Sequence, residues 1–566
     1  MHNGHRRVAD YLVSALAGVG VGHIFGVGGA NIEDVYDAVD RTGGRVKAVV
    51  AKHEFAAACM AEGARRAAGG LGVVMATSGA GAMNLVPGIA EAYAARVPLL
   101  ALIGQPPRDL EGRGAFQDSS GRAGAFDAVA LFSSISRFCA RVDDPASVDQ
   151  LLAAAVEATR APRGGPAVLL IPKDVQQAPA YGCRSIVDLL PAAHRTPSGP
   201  RAAAARRLVD AVRRDARILV IAGDGVGHHD ARAELAELAH RLGADVAVTP
   251  EGKDVYADGC PRFVGVSGAI GHPTVQQSLE HADLCVLVGT RMPVMARAGL
   301  DAALARTPIV AFDPELPFVD SAVHVDGDLR VELRAAVDAL PARPLRRPGP
   351  TAVMHLVPPR PDTPGVRLPD AVRAIDAALP FGATVVSDAG NASAAAIHYL
   401  STPLRFIVAQ GMGGMGHSFG AGIGAAFATG RRTYVLSGDG GFYAHGMEVH
   451  TAVEYDLPVT FVIFNNNAHA MCVTREQLFY GGGYSYNTFK PADIGAGVRA
   501  MFPTLYAVSA TTADELRRAL VESNTRPGPA LVCVEADPNE MPPFGPFLRQ
   551  LGEPSPTGAA HVAPVG

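Results

Sequence analysis

The chain has 566 residues, a formal net charge of −5, 48% hydrophobic residues and 19% charged residues. That balance supports large cores spread over about three or four domains and excludes a disordered chain. It offers no basic footprint for nucleic acid, and seven scattered cysteines without a CxxC pair fit a reduced, cytoplasmic protein.

The N-terminal stretch RRVADYLVSALAGVGVGHIF reads as an amphipathic helix, because Asp10 and several glycines interrupt it where a signal peptide would stay apolar. No uncharged apolar run reaches the roughly 18 residues of a membrane span. In the first block VKAVVA, GVVMAT and VPLLALIG read as strands, with helices such as FAAACMAEGARRAA between them. A Pro/Arg-rich stretch at 189–201 reads as a linker, and so does 340–365. The second block carries the strands RILVIAG, DVAVTP, DLCVLVG and PIVAFD. The third carries ATVVSDAG, RTYVLSGDG, VTFVIF and ALVCVEA. Continuous apolar strands alternating with Ala-rich helices predict parallel sheets covered on both faces. The fold class is therefore α/β, with three doubly wound parallel-sheet domains at 1–185, 190–345 and 362–548. The first and third blocks both run a strand into Ser-Gly-X-Gly, at Ser78 and Ser437, which reads as a distant internal repeat or as the usual turn chemistry of such strands.

One segment of the third block carries chemistry. VLSGDGG ends a strand, a helix is expected over about 445–456, Leu457-Pro458 turns the chain, and the next strand ends in Asn465-Asn466-Asn467. A β-α-β unit of this kind puts both strand ends at the carboxyl edge of the sheet, where open α/β sheets bind ligands. Asp439 and Asn466 then supply oxygens to one small volume, a donor set that suits Mg²⁺ shared with a phosphate. Gly438 and Gly440 let that phosphate approach the backbone.

Gly438-Asp439-Gly440, 24 further residues and then Asn465-Asn466 resembles the signature of thiamine-diphosphate enzymes. HEFAAACMAEGARRAAG (53–69), ATSGAGAMNLVPGIAEAYAARVPLLALIGQ (76–105), GAFQD (114–118) and GMGGMGHSFGAGIGAA (411–426) extend the resemblance over nearly the whole chain. The acetolactate-synthase-like branch fits best, with benzaldehyde-lyase-type carboligases related to it. The resemblance implies pyrimidine-binding, central and diphosphate-binding domains in that order. It also implies a homodimer or homotetramer whose active sites lie between the first domain of one subunit and the third of its neighbour.

Site residues follow from the same resemblance. Asp439, Asn466 and the backbone carbonyl of Ala468 are expected to hold Mg²⁺, and the metal to hold thiamine diphosphate. The Ala389-Gly390-Asn391 turn is expected at the diphosphate, and Asn84, Gly413, Gly438 and Gly440 complete the coenzyme contacts. Glu54 is expected to meet N1′ of the aminopyrimidine and so promote loss of the thiazolium C2 proton. Met415 is expected to prop the coenzyme in its bent shape, although Gly411–Gly416 also reads GxGxxG, the pattern of a dinucleotide loop. Phe116 and Gln117 are expected to face the substrate, as are Gly29 and Asn31 in the loop VGVGGANIED and His469, Met471 and Arg475 after the metal site.

The departures from the family pattern bear on specificity. Gly28 and Ala80 stand where the family commonly has proline, which loosens two turns. Arg475 stands where acetolactate synthases carry a tryptophan that selects the acceptor, and the chain has no tryptophan. An arginine there suits a carboxylate, phosphate or polar acceptor. The central domain does not clearly match the FAD contacts of acetolactate synthases, so FAD is the less favoured cofactor. The His-His pair of the decarboxylases is absent, and Gly227-His228-His229 reads as a central-domain loop. The reading is a carboligase that decarboxylates a 2-keto acid such as pyruvate and passes the acyl unit to a second carbonyl compound. The alternatives are a 2-keto-acid decarboxylase releasing an aldehyde, and a coenzyme-binding but inactive partner subunit.

Overall fold

In the computed structural model the described residues are 6–190, 201–256, 259–342 and 352–552. The inner parts of both expected linkers, 191–200 and 343–351, lie outside them. The first sheet contains β1 (His23–Gly26), β2 (Lys47–Val50), β3 (Gly72–Ala76), β4 (Leu99–Gln105), β5 (Phe138–Arg141) and β6 (Pro166–Pro172), in the order β2-β1-β3-β4-β6-β5. The middle sheet contains β7 (Ile218–Ala222), β8 (Asp245–Val248), β9 (Phe263–Val266), β10 (Leu284–Val288), β11 (Ile309–Phe312) and β12 (Val323–Val325), in the order β12-β11-β10-β7-β8-β9. The third contains β13 (Thr384–Ser387), β14 (Arg405–Val408), β15 (Thr433–Gly438), β16 (Val459–Asn465), β17 (Tyr506–Ala510) and β18 (Ala530–Glu535), in the order β14-β13-β15-β16-β18-β17.

Every strand pair is parallel. All positions of β3, β4, β6 and β7 are buried, as strands covered on both faces must be. The first and third sheets share one strand order, which gives the Ser-Gly-X-Gly parallel a structural counterpart. Two local expectations need correction. The helix expected over 445–456 begins at Asp439, runs to His445, tightens into a 3₁₀ turn at Gly446–Glu448 and resumes over Val449–Glu454. Gly227 and His228 close a short helix, Gly225–His228, in place of the expected loop.

The first and third domains meet along two helices, Glu54–Ala68 and His417–Thr429, with their backbones in contact. A Cβ on Gly63 would land on the carbonyl oxygen of Ala421, one on Gly420 on that of Ala56, and one on Gly424 on that of Met60. No side chain fits there, so glycine at these positions sets the approach. Buried carboxylates fasten the seam. Glu62 lies 2.6 Å from His417 Nε2 and 3.2 Å from Arg66, and Glu448 accepts the backbone N–H groups of Lys52 and His53 at 2.7 and 2.9 Å.

The strap entering the third domain is also stitched down. His272, His355 and His398 place ring nitrogens within 4.8 Å of one another. They are not arranged as metal ligands, because His272 and His398 have already committed their nitrogens. His272 accepts from Val266 N–H and donates to the carbonyl of His398; His398 donates to the carbonyl of Ile270 and accepts from Leu356 N–H.

Where the three domains converge, Glu251 shares a small polar cleft with Asp224, Asp254, His228, Arg65, Arg66, Arg232 and Arg405. Burial, and then the charge of Asp224, push Glu251 up to about 7. Native Glu251 therefore keeps its proton over a range in which the unfolded chain has lost it. Its contribution is full below about pH 4.5 and is lost as pH rises through about 7. Glu251→Gln is expected to stabilise the protein by about 2 kcal/mol at pH 8.5 and to change little at pH 5, read from denaturant unfolding at both pH values. Equal effects at the two would contradict this.

Candidate active site

The third sheet builds one half of the site. β15 and β16 run side by side in register, with Ser437 opposite Ile463 and Gly438 opposite Phe464, so the residues that follow them meet at the carboxyl edge. Asp439 is 1% exposed. Its oxygens accept from Gly440 N–H at 2.9 Å and from Ala468 N–H at 3.1 Å, and Ala468 N–H also reaches Asn466 Oδ1 at 3.2 Å. Asp439, Asn466 and Ala468 are thus brought together, in keeping with the sequence pattern. No arginine or lysine pairs with Asp439 among the described residues, and burial pushes its carboxyl up to about 6. A buried carboxylate without a cation of its own fits a bound dication, which would restore the charge balance.

The neighbouring strand end fits an anion. Gly390 has φ 102° and open space at its Cβ position, and it caps the helix Asn391–Tyr399. The buried oxygens Ser387 Oγ, Asn391 Oδ1 and Ser393 Oγ have no partner among the described residues. The two serine hydroxyls and the backbone N–H groups of a helix N-terminus can donate to phosphate oxygens, whereas Asn391 Oδ1 is itself an acceptor and cannot. Ala389 and Gly390 are half-buried at its mouth.

His469 lies against this edge: a Cβ on Gly440 would come within 2.8 Å of its Nε2. Its Nδ1 is 3.3 Å from Asn487 Oδ1, and its ring meets Phe489 edge-on. Met471 and Arg475 ride on the next helix, Ala470–Tyr480, both half-buried, and Arg475 has no hydrogen-bond or ion-pair partner among the described residues. Gly413, with φ 66°, and the half-exposed Met415 lie on the loop at the rim.

The first sheet builds the other half. Glu54 opens its helix after His53, is half-buried, and accepts Asn84 Nδ2 at 2.9 Å. A relay then runs along the turn after β3. Asn31 donates through its backbone to Thr77 Oγ1 at 3.2 Å and through Nδ2 to Ser78 Oγ at 2.8 Å; Thr77 donates to Gln117 Oε1 at 3.2 Å. Gly29 lies against Thr77, and Gly79, with φ 62°, against Gln117, leaving no room for a Cβ at either. The turn gathers Glu54, Asn84, Gly29, Asn31 and Gln117. Phe116, next to Gln117, is 77% exposed.

Sequence reasoning missed three carboxylates. Asp388, 2% exposed, takes Gly416 N–H at 2.8 Å and Ser437 Oγ at 2.9 Å, and leaves no room for a Cβ at Gly441. Glu91 and Glu448 tie the first domain to the third. Each sits alone in an apolar stretch, in VVSDAG, GIAEAYA and GMEVHTAV, and that isolation was the available signal.

Family models for thiamine pyrophosphate enzymes match the chain three times: the N-terminal TPP-binding domain over residues 6–124, the central domain over 205–340 and the C-terminal TPP-binding domain over 388–534. The chain belongs to the thiamine pyrophosphate enzyme family. A probable acetolactate synthase large subunit of Methanocaldococcus jannaschii is 29% identical over 95% of the chain and 93% of the relative. The acetolactate synthase isozyme 1 large subunit of Escherichia coli is 28% identical over 96% and 97%. The acetolactate synthase large subunit of Parasynechococcus marenigrum is 29% identical over 97% and 91%. This thiamine pyrophosphate enzyme is acetolactate-synthase-like along its length, and its sheets match the family's three α/β domains. Among the described residues no helix is long and apolar enough to cross a membrane. Asp439→Ala is expected to weaken Mg²⁺-dependent binding of thiamine diphosphate by more than about 100-fold in calorimetry. Binding equal to the parent would contradict the role assigned to this edge.

Proposed function

We propose that this enzyme is a carboligase that decarboxylates a 2-keto acid such as pyruvate and transfers the acyl unit to a second carbonyl compound. The observation that carries the reading is the state of Gln117. Thr77 occupies its carbonyl oxygen, so its NH₂ group is the end presented to a substrate carbonyl or carboxylate.

On this reading Asp439, Asn466 and the carbonyl of Ala468 hold Mg²⁺, and the Ala389–Asn391 turn with Gly413, Gly438 and Gly440 holds the diphosphate. When bound, the coenzyme supplies the electron sink for C–C cleavage and formation. Glu54 holds a proton at the aminopyrimidine, with Asn84 fixing one of its oxygens. Met415 supports the coenzyme from the rim. Gly29 and Asn31 shape the substrate side, together with Phe116, His469 and Met471. Arg475, half-buried and unpaired among the described residues, recognises an acidic acceptor through a bidentate contact.

The reading includes domain limits at 1–185, 190–345 and 362–548, a cytoplasmic location, and a homodimer or homotetramer. Support for the assembly comes from the rim, where Met412, Met415, Tyr443 and Met447 are 45–60% exposed. Such a cluster fits a surface that a second subunit covers.

The test is a product screen with thiamine diphosphate, Mg²⁺, pyruvate and a panel of acidic and neutral carbonyl acceptors. Ligated hydroxyketones with CO₂ release are expected. Acetaldehyde alone would make the protein a decarboxylase, and no turnover across the panel would make it an inactive partner. Arg475→Trp is expected to lower kcat/KM for acidic acceptors by more than about tenfold relative to neutral ones. An equal loss for both classes would remove Arg475 from acceptor recognition.

A further inference from the structure

The loop Gly411–Gly416, which carries Met415, packs at Gly411, Gly414 and Gly416 against Ala94, Phe55 and His445, while Met412 is 60% exposed and Gly413 has open space around it. It is also held at both ends by carboxylates. At its far end Gly416 N–H falls between the two oxygens of Asp388, at 3.0 and 2.8 Å. At its near end the backbone N–H groups of Gly411, Met412 and Gly413 converge on Glu91, at 3.0, 2.5 and 3.2 Å. Glu91 belongs to the other domain, is 2% exposed, and has no cationic partner among the described residues.

Three successive amides on one carboxylate form a strong, charge-assisted cap that a neutral side chain cannot reproduce. The position of Glu91 adds to this. It lies on the helix Ala80–Ala94 seven residues after Asn84, whose Nδ2 holds Glu54. Seven residues are about two helical turns, so both side chains lie on one face, about 10 Å apart along the axis. The helix is pressed against its neighbour at Gly88, where a Cβ would lie 2.5 Å from that of Ala58. One helix, with Pro87 between the two residues, therefore grips Glu54 through Asn84 and the Met415 loop through Glu91, groups that in the proposed assembly serve two neighbouring sites.

We propose that Glu91 is a positioning residue of the coenzyme site: its carboxylate presets the Gly411–Gly416 loop and fixes it to the helix that orients Glu54 for the neighbouring site. This rests on the proposed function, since it takes Met415 to support the coenzyme. The role is conformational, and Glu91 itself touches neither coenzyme nor substrate.

The test compares Glu91→Gln and Glu91→Asp with the parent and with Asp439→Ala. Thiamine diphosphate affinity is measured by calorimetry at saturating Mg²⁺, and loop order by limited proteolysis of the coenzyme-free protein. Glu91→Gln keeps the size of the side chain but replaces one acceptor oxygen with a donor facing the amides. It is expected to lower coenzyme affinity by about tenfold and to open a cleavage site within 411–416, with the thermal midpoint of the coenzyme-free protein close to the parent's. Glu91→Asp, which retains the charge, is expected to recover part of the affinity. Parental affinity and protection in Glu91→Gln, with binding lost in Asp439→Ala, would overturn this inference and leave the proposed function standing. A loss in Glu91→Gln that Glu91→Asp does not relieve at all would also overturn it, because charge would then be irrelevant. Undiminished binding by Asp439→Ala would instead remove the proposed site itself.

Discussion

The contact on which the rest of the molecule depends is the place where two helices touch through their backbones. Gly63 on one, and Gly420 and Gly424 on the other, let the helices Glu54–Ala68 and His417–Thr429 close to a distance no side chain would allow. One helix begins with Glu54, and the other follows the loop that carries Met415. Their separation and angle therefore fix how one chain presents the first sheet's turn chemistry and the third sheet's metal edge, which in the proposed assembly serve two neighbouring sites. A methyl group on any of these glycines would have to push the backbones apart, and a shift of about 1 Å at such a seam is large on the scale catalysis tolerates.

Buried acids give the seam its direction. Glu62 binds His417 and Arg66, Glu448 binds the turn before Glu54, and Glu91 binds the turn after β14. Burying a carboxylate is unfavourable unless hydrogen bonds or charges compensate it, so each accepts only one geometry of its partners. The packed glycines supply proximity, and the acids supply a unique register. Asp439 differs in its setting: the amides of Gly440 and Ala468 engage it at the carboxyl edge of the sheet, and Ala468 N–H also reaches Asn466 Oδ1, so its oxygens stand in a donor set that suits a bound dication.

Much of this was legible in the sequence, unevenly and for physical reasons. Central strands such as β3, β4, β10 and β16 announce themselves as continuous apolar runs because both of their faces are covered. Others do not. β5 is only half-buried and β17 alternates, as edge strands do; β9 is interrupted by Gly265; β6 is apolar throughout but lies between prolines that read as breakers. Asp439 and Asn466 can be paired from sequence because the β-α-β geometry constrains both strand ends. The helix between them starts earlier than the pattern suggests, since two glycines after Asp439 resemble a turn and in fact begin a helix. Asp388, Glu91 and Glu448 carry no periodic signal. Their partners lie tens or hundreds of residues away, and only the folded chain brings them together.

Both halves of the proposed site stand open at the surface of one chain, with Met412, Met415, Tyr443 and Met447 exposed along the rim. In the proposed assembly, Glu54 of one subunit serves the metal edge of another. Mixing two inactive variants, Glu54→Gln and Asp439→Ala, after dissociation and reassembly tests this directly. Each homodimer lacks one component at both sites, whereas a mixed dimer carries one site with both components intact. A shared site predicts that the mixture recovers up to about a quarter of parental activity per chain, from statistical reassortment of a two-fold dimer. A mixture in which heterodimers form and no activity returns would contradict it.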